Sequence, residues 1–292
     1  MKKTFLGTGI ALTLLSACAP KQSQETLTKS GLNPTNYETI VDGVKPVKLY
    51  TLKNAAGMEV CVTNFGGRIV SIMVPDKNGN LKDVVLGFDS IADYQNIPSD
   101  FGASIGRYAN RIAGGRFPLN GKTVQIEQNE GRNHLHGGSV GFHKRIWAAE
   151  CLGEQAVRFT LHTPDGDAGY PGALTMHVTY RVEGSRLFLD FEGISTKDTI
   201  LAPTTHMYFN LGGTESILGT TLQINASRWI PVDGELIPTG ELRPAEGPFD
   251  FRTPHAIAQN FDHGFVLGRR GHAHHFQLFG DDVEARPLNV SR

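Results

Sequence analysis

The sequence has little that is typical of disulfide-rich, metal-binding or nucleic-acid-binding proteins. Its 292 residues include only three cysteines, too few for a disulfide framework. Neither a Cys-x-x-Cys nor a His-Glu-x-x-His motif occurs, so no metal site is predicted. Lysine and arginine (28) nearly balance aspartate and glutamate (29), for a net charge of −1. Nucleic-acid binding requires a basic face, so we expect no nucleic-acid partner.

The N-terminus carries a short apolar run, from Phe5 to Leu15, behind two lysines. This run is too short to span a membrane and has the shape of a secretory signal peptide, predicted over residues 1–20. It ends in Leu-Ser-Ala-Cys, which resembles the bacterial lipobox, so we expect Cys18 to be lipidated. Ala19 then indicates the outer membrane, and the expected location is the periplasm or outer membrane. The alternative is an ordinary cleaved signal peptide with an incidental cysteine.

The composition of the chain changes after the signal segment. Residues 21–40 are polar and unpatterned, which predicts a flexible tether. The folded domain is predicted over residues 41–267. Cys61 and Cys151 lie in strand-like runs and are expected to be buried thiols, whose pairing the sequence does not decide.

Helical periodicity is nearly absent, and alternation of apolar and polar residues dominates from Val47 onward. Apolar residues occupy every second position from Leu174 to Val182, and the same pattern continues from Leu187 to Phe191. Only the segment from Ser90 to Ile97 has room for a helical turn or two. The predicted fold class is all-β, as one large antiparallel β-sandwich.

Residues 101–138 concentrate polar side chains among glycines. Arginine and asparagine are planar multi-donor groups suited to adjacent hydroxyls, and histidine can hold a proton near neutral pH. This mixture favours a neutral polyol such as a sugar. Two segments within it, Gly-Arg-Tyr-Ala-Asn-Arg-Ile (106–112) and Asn-His-Leu-His-Gly-Gly (133–138), resemble the sugar-contacting signature of the aldose 1-epimerases, the galactose mutarotase family.

Further segments resemble the same family, in order, from about residue 41 to about residue 267. They are residues 64–69, 83–88, 169–172, 205–211, 233–240 and 262–263. The resemblance implies a β-supersandwich with the sugar site on a concave sheet face. It implies interconversion of the α and β anomers of free hexoses, galactose or glucose, without a metal or organic cofactor.

The resemblance also implies roles for individual residues. His206 matches the acid that protonates the ring oxygen, and His136 matches a histidine that hydrogen-bonds the sugar near the reacting centre. Asn110, Arg111 and Asp233 match groups that hold the hydroxyls. Without the resemblance, His206 would be interpreted as a structural histidine and Asp233 as a turn residue.

Other polar and aromatic residues in these segments have structural interpretations. His134 matches no catalytic position, and the plain interpretation of His134 and His136 is a loop pair facing water. Arg107 is expected in an ion pair or outside direct contact with sugar. Trp147 and Trp229 are expected in the core.

The chain departs from the family pattern after Leu267. Residues 268–292 lack alternation and the motif that holds the family's general base, a glutamate; Glu284 does not match it in context. We interpret them as an atypical tail, produced by truncation or frameshift, with a genuine divergent ending as the alternative.

The second functional hypothesis is therefore a catalytically impaired, sugar-binding lipoprotein. A third, an epimerase of hexose phosphates, is disfavoured because no basic cluster surrounds the site. The expected partners are a hexose and, through the lipid alone, a membrane; a monomer or homodimer is expected.

Overall fold

Strands dominate the part of the chain that the structure, a computed structural model, describes: residues 26–41, 45–260 and 275–277. In chain order the strands are β1 (Thr39–Val41), β2 (Lys45–Val47), β3 (Leu49–Lys53), β4 (Glu59–Thr63), β5 (Arg68–Pro75), β6 (Leu81–Asp83), β7 (Ser104–Ile105), β8 (Arg111–Ile112), β9 (Arg116–Leu119), β10 (Lys122–Gln125), β11 (His134–Leu135), β12 (Ala148–Cys151), β13 (Ala156–Thr163), β14 (Leu174–Glu183), β15 (Arg186–Ser195), β16 (Thr204–Thr205), β17 (Thr221–Leu222), β18 (Arg228–Ile230), β19 (Arg243–Pro244), β20 (His255–Ala256) and β21 (His275–Gln277). Within these ranges the only α-helix is α1 (Ile91–Asn96). Short 3₁₀ turns occupy Pro34–Tyr37, Ala113–Gly115, Phe142–Lys144, Asp167–Gly169, Gly247–Phe249 and Ile257–Asn260.

Two antiparallel four-stranded sheets enclose the main core. Their strand orders are β3-β4-β5-β6 and β12-β13-β14-β15. Val60 and Val62 of β4 join Phe159 of β13 and Val178 of β14 in one buried apolar cluster. Because each sheet buries one face against the other, this is the antiparallel β-sandwich that the alternation predicted.

The alternation along β14 is reproduced residue by residue. Every second side chain from Leu174 to Val182 is buried, and those between are half-buried. Successive side chains of a strand point to opposite faces of the sheet, so one face enters the core. Leu187, Leu189 and Phe191 of β15 are half-buried against the same cluster.

Strand β4 is buried along its whole length, on both faces. Cys61 points away from the main core, into a second cluster with Leu32, Tyr37 and Val47. Tyr37 is 0% exposed. The prediction of a flexible tether over residues 21–40 is therefore wrong for residues 26–40, because this segment covers the outer face of β4. Residues 21–25 lie outside the described residues.

Two local predictions are confirmed. Helix α1 begins after Ser90, whose Oγ accepts a hydrogen bond from the Asp93 amide at 3.1 Å, and its C-cap is Ile97. The Asn120-Gly121 pair joins β9 to β10 with φ values of 52° and 74°, as a two-residue hairpin requires.

Two of the three cysteines and a small part of the predicted tail lie among the described residues. Cys61 is a free buried thiol, so the pair with Cys151 is not formed. The prediction of a buried thiol is confirmed for Cys61 and wrong for Cys151, which is half-buried. Cys18, the whole signal segment and the predicted boundary at residue 267 lie outside the described residues. Of the predicted tail, residues 275–277 are described, as β21, which pairs antiparallel with β18. In the described ranges, no helix has the length and apolar character needed to cross a membrane.

Candidate functional site

Two histidines from distant parts of the chain meet beside the sandwich. His136 follows β11, which pairs with β8, and His206 follows β16, which pairs with β7. Their ring centroids are 5.4 Å apart and the rings are nearly perpendicular, at 87°. The segment that carries β7 and β8 therefore brings the two predicted site histidines into contact.

Close backbone approach makes this meeting possible. Gly137 has φ of 85°, and a Cβ there would collide with the Gly106 carbonyl. His136 is itself left-handed, with φ of 53°. The backbone N–H of His136 donates to the Asn110 carbonyl at 3.0 Å. Only glycine at position 137 allows the loop after β11 to lie this close to the β7–β8 connection.

The protonation of His136 follows from its contacts. Its Nδ1 accepts a hydrogen bond from the Asn110 backbone N–H at 3.0 Å, so the proton of the neutral ring is on Nε2. Burial lowers the pKa of His136 to about 4. At neutral pH, His136 is therefore an uncharged hydrogen-bond donor through Nε2.

Arg111 is held in place by two neighbours. Its Nε and Nη2 donate to the two carboxylate oxygens of Glu130 at 2.8 and 2.5 Å, and its Nη1 donates to Asn110 Oδ1 at 3.3 Å. The Arg111 hydrogen bonds lower the pKa of Glu130. Sequence reasoning missed Glu130. The sequence feature that could have indicated Glu130 is the two-residue turn between it and Asn133, in the hairpin that leads to His134.

The structure keeps Asp233 in an exposed turn. Its Oδ1 accepts hydrogen bonds from the backbone amides of Glu235 and Ile237, at 2.8 and 3.0 Å, and these bonds lower its pKa. The turn is tied to the Glu130 hairpin by the ion pair of Arg132 with Glu235. The hairpin that holds Arg111 thus also holds the Asp233 turn, while the hydrogen bonds of Asp233 stay within the turn.

A third titratable group lies beside the two histidines. One potential ligand atom each from Asp100, His136 and His206 lies within 4.8 Å of the other two. Metal coordination at His136 Nε2 would require a lone pair there, but the hydrogen bond from Asn110 leaves that atom protonated. The cluster is therefore suited to proton transfer rather than to holding a cation. Sequence reasoning missed Asp100, whose only signal is a carboxylate directly before the glycine-rich stretch.

A cavity of about 1010 Å³ opens beside this cluster and offers room for a sugar. Its lining includes Asp100, Asn129, His136 and Tyr208. The Tyr208 ring stacks on His206, with centroids 5.1 Å apart. An aromatic face and several hydrogen-bonding groups therefore border one space.

Arg107 and His134 are structural. Arg107 is 1% exposed and donates to Thr163 Oγ1 and to the carbonyls of Pro164 and Pro171. His134 is 0% exposed, between the Glu127 carbonyl and the Tyr170 hydroxyl, each at 2.7 Å. The alternative of a histidine pair facing water is therefore wrong for His134. Trp147 and Trp229 are buried, as expected.

Comparison with known proteins places the chain among sugar epimerases. The family model described as aldose 1-epimerase matches residues 48–286, past the boundary predicted at residue 267. The aldose 1-epimerase of Haemophilus influenzae is 40% identical over 79% of this chain and 68% of its own length. The galactose mutarotase of Sus scrofa is 39% identical over 73% of this chain and 65% of its own length. The chain thus spans about two thirds of these relatives.

Solved structures give the same result. A galactose 1-epimerase from Lactobacillus acidophilus superposes with a TM-score of 0.75 at 33% identity, over 84% of this chain and 73% of that one. The GalM/aldose epimerase homologue from C. elegans superposes with a TM-score of 0.70 at 30% identity, over 74% and 67%. The sandwich is therefore one that sugar epimerases use.

Proposed function

This chain belongs to the aldose 1-epimerase family, and we propose that it interconverts the α and β anomers of free hexoses such as galactose and glucose. The observation that carries the proposal is the contact of His136 with His206 beside a cavity of about 1010 Å³. A general acid and a hydrogen-bond donor this close together can both reach the oxygens around C1 of one sugar.

The reaction requires two protons to move. His206 delivers a proton to the ring oxygen, the C1–O5 bond breaks, and the anomeric hydroxyl loses its proton as C1 becomes a carbonyl. Rotation about C1–C2 and closure on the other face give the second anomer. His136 donates a hydrogen bond through Nε2 to a sugar oxygen near C1, because its Nδ1 is occupied by Asn110. Tyr208 restricts the ring of His206 by stacking on it.

The remaining groups position the sugar. Asn110 and Arg111 lie side by side, joined at 3.3 Å, and present amide and guanidinium donors and an amide oxygen to hydroxyls. Asp233 adds a carboxylate from the adjoining turn, where its lowered pKa keeps it ionised at neutral pH. An ionised carboxylate accepts from two neighbouring hydroxyls, which suits a diol.

Polarimetry of freshly dissolved α-galactose and α-glucose tests this function. We expect the purified protein to accelerate mutarotation well above buffer, and His206→Ala to lower kcat by about 10²–10⁴-fold, the usual contribution of one proton-transfer group. His177→Ala, which removes a half-buried histidine on β14, is the matched control and should retain activity. A folded wild-type protein that binds sugar without accelerating mutarotation would favour the alternative, a sugar-binding homologue without activity.

We further propose that the protein is an exported lipoprotein anchored through Cys18, in the periplasm or outer membrane. The support is the Leu-Ser-Ala-Cys sequence at residues 15–18 behind an apolar run. Expressed in a Gram-negative host with an alkyne-tagged fatty acid, the full chain should take up label and fractionate with membranes. Cys18→Ser should abolish the label, and Cys61→Ser should not. Label on Cys18→Ser, or an unlabelled wild-type protein, would contradict the anchor.

A further inference from the structure

Asp100 is held at the site by the backbone rather than by its own side chain. Its carbonyl accepts a hydrogen bond from the Ala103 amide at 3.0 Å. The next residue, Phe101, offers its carbonyl to Arg68 Nη1 at 3.0 Å. The Gly102 amide then donates to the His206 carbonyl at 2.9 Å. This chain of contacts sets the Asp100 carboxylate against the His206 ring and leaves its oxygens out of the structural hydrogen bonding.

The carboxylate of Asp100 differs from the carboxylates of Glu130 and Asp233. In the part of the chain that the structure describes, it forms no side-chain hydrogen bond or ion pair, and it lines the cavity half-buried. Glu130 is bound at both oxygens by Arg111. Asp233 is exposed and uses Oδ1 inside its own turn. Asp100 is therefore the carboxylate in these ranges that is free to receive a proton beside the histidine pair.

The distances from Asp100 to the two histidines suit a proton acceptor that acts on the same sugar as His206. The Asp100 oxygen lies within 4.8 Å of a ring nitrogen of His206 and of a ring nitrogen of His136. The anomeric and ring oxygens of a pyranose are both bonded to C1. The base that acts on the anomeric oxygen and the acid that acts on the ring oxygen must therefore lie close together. The charged and titratable groups that share the cavity with Asp100 are Arg68, Tyr94, His136, His143, Lys144 and Tyr208. Two of these are cations, which favours a carboxylate among them.

We propose that Asp100 is a catalytic residue that accepts the anomeric proton while His206 protonates the ring oxygen. The proposal rests on the mutarotase function above. The O1–H bond breaks and its proton passes to an Asp100 oxygen. The C1–O5 bond breaks, its electrons go to O5, and O5 takes the proton from His206. After rotation about C1–C2, ring closure returns one proton from Asp100 to O1 and one from O5 to His206, so both groups are regenerated.

Asp100→Ala and the isosteric Asp100→Asn test this role in the full-length protein. We expect kcat for α-galactose to fall by about 10²–10⁴-fold in both. Formate, a small carboxylate, should restore part of the activity of Asp100→Ala and none of Asp100→Asn, whose side chain fills the site. Asp190→Asn, which changes an exposed aspartate on β15, is the matched control and should retain wild-type activity.

A binding measurement distinguishes a proton-transfer role of Asp100 from a positioning role. The probe is 1-deoxygalactose, which lacks the anomeric hydroxyl, and its affinity measured by NMR titration should be unchanged in Asp100→Asn. If the wild-type protein is active and the kcat values of Asp100→Asn and Asp100→Ala lie within about threefold of the wild-type value, the assignment is overturned and the proposed function stays intact. Such a change is well below the contribution of a proton-transfer group. Loss of activity without formate rescue and with weakened binding of the probe would also overturn it. A wild-type protein that binds galactose without mutarotase activity would overturn the proposed function itself, and the role of Asp100 with it.

Discussion

At the scale of single residues, the site is organised by hydrogen bonds that assign protons and hold side chains. The Asn110 amide fixes the tautomer of His136 through Nδ1. Glu130 holds the Arg111 guanidinium by two parallel bonds. Such bidentate pairs restrict orientation as well as adding energy. Glu130 therefore sets the direction in which Arg111 presents its remaining donor.

Replacing Glu130 tests this positioning. In Glu130→Gln one of the two acceptors of Arg111 becomes a donor, so the guanidinium loses its fixed orientation. We expect KM for galactose to rise about threefold to tenfold, the equivalent of about 1 kcal/mol, because Arg111 is misdirected but keeps one acceptor on residue 130, while kcat changes less. Initial rates over a range of galactose concentrations measure both constants.

An exposed ion pair provides the control for this substitution. Glu241 pairs with Arg243 two residues away, with both side chains about half exposed, so Glu241→Gln should change neither constant. If Glu130→Gln lowers kcat as strongly as His206→Ala and leaves KM unchanged, the positioning role of Glu130 is wrong.

At the scale of elements, the long strands and the short strands have different origins. β13 and β14 are eight and ten residues long, and their alternation is visible in the sequence. The strands that hold the histidines, β7, β8, β11 and β16, have two residues each. A two-residue strand has no periodicity, and Thr204 pairs with Ile105 across about a third of the chain. These elements exist because the large sandwich brings their segments together.

The same reasoning explains the segment before the domain. Residues 26–40 are polar on average, which is typical of a tether, but Leu32 and Tyr37 are buried. Two apolar side chains are enough to hold a polar stretch against the domain when they pack on a buried strand. The outer face of β4, with Cys61, is that surface.

At the scale of the whole molecule, three histidines, His134 and His143 buried and His136 half-buried, make folding dependent on pH. Burial is the main cause that lowers the pKa of His134, of His136 to about 4 and of His143 to about 4. In the unfolded chain, histidine takes up a proton near pH 6.5. The stability that these neutral histidines contribute is therefore complete above about pH 6.5 and is lost as the pH falls toward 4.

Urea denaturation between pH 7 and pH 5 measures this effect. We expect the free energy of unfolding to fall with decreasing pH by up to about 1.4 kcal/mol per pH unit for each histidine. Carboxylates with lowered pKa values act at lower pH, whereas burial raises the pKa of Asp83, whose protonation in the folded protein opposes the histidine effect as the pH falls. His143→Gln should reduce the slope of the free energy of unfolding against pH by the contribution of about one proton. A free energy of unfolding that stays constant from pH 7 to pH 5 would contradict the prediction.

The sequence by itself determined the all-β sandwich, the helical turn at α1, the hairpin at Asn120-Gly121 and the candidate site residues in the family motifs. Each of these depends on neighbouring residues, on a period of two or on a short motif, which the sequence displays directly. Only the tertiary structure decided that Asp100 lies beside His136 and His206, that Glu130 holds Arg111, and that Arg107 and His134 are buried. These contacts join residues from separate elements, so they depend on how the sheets pack and not on any local pattern.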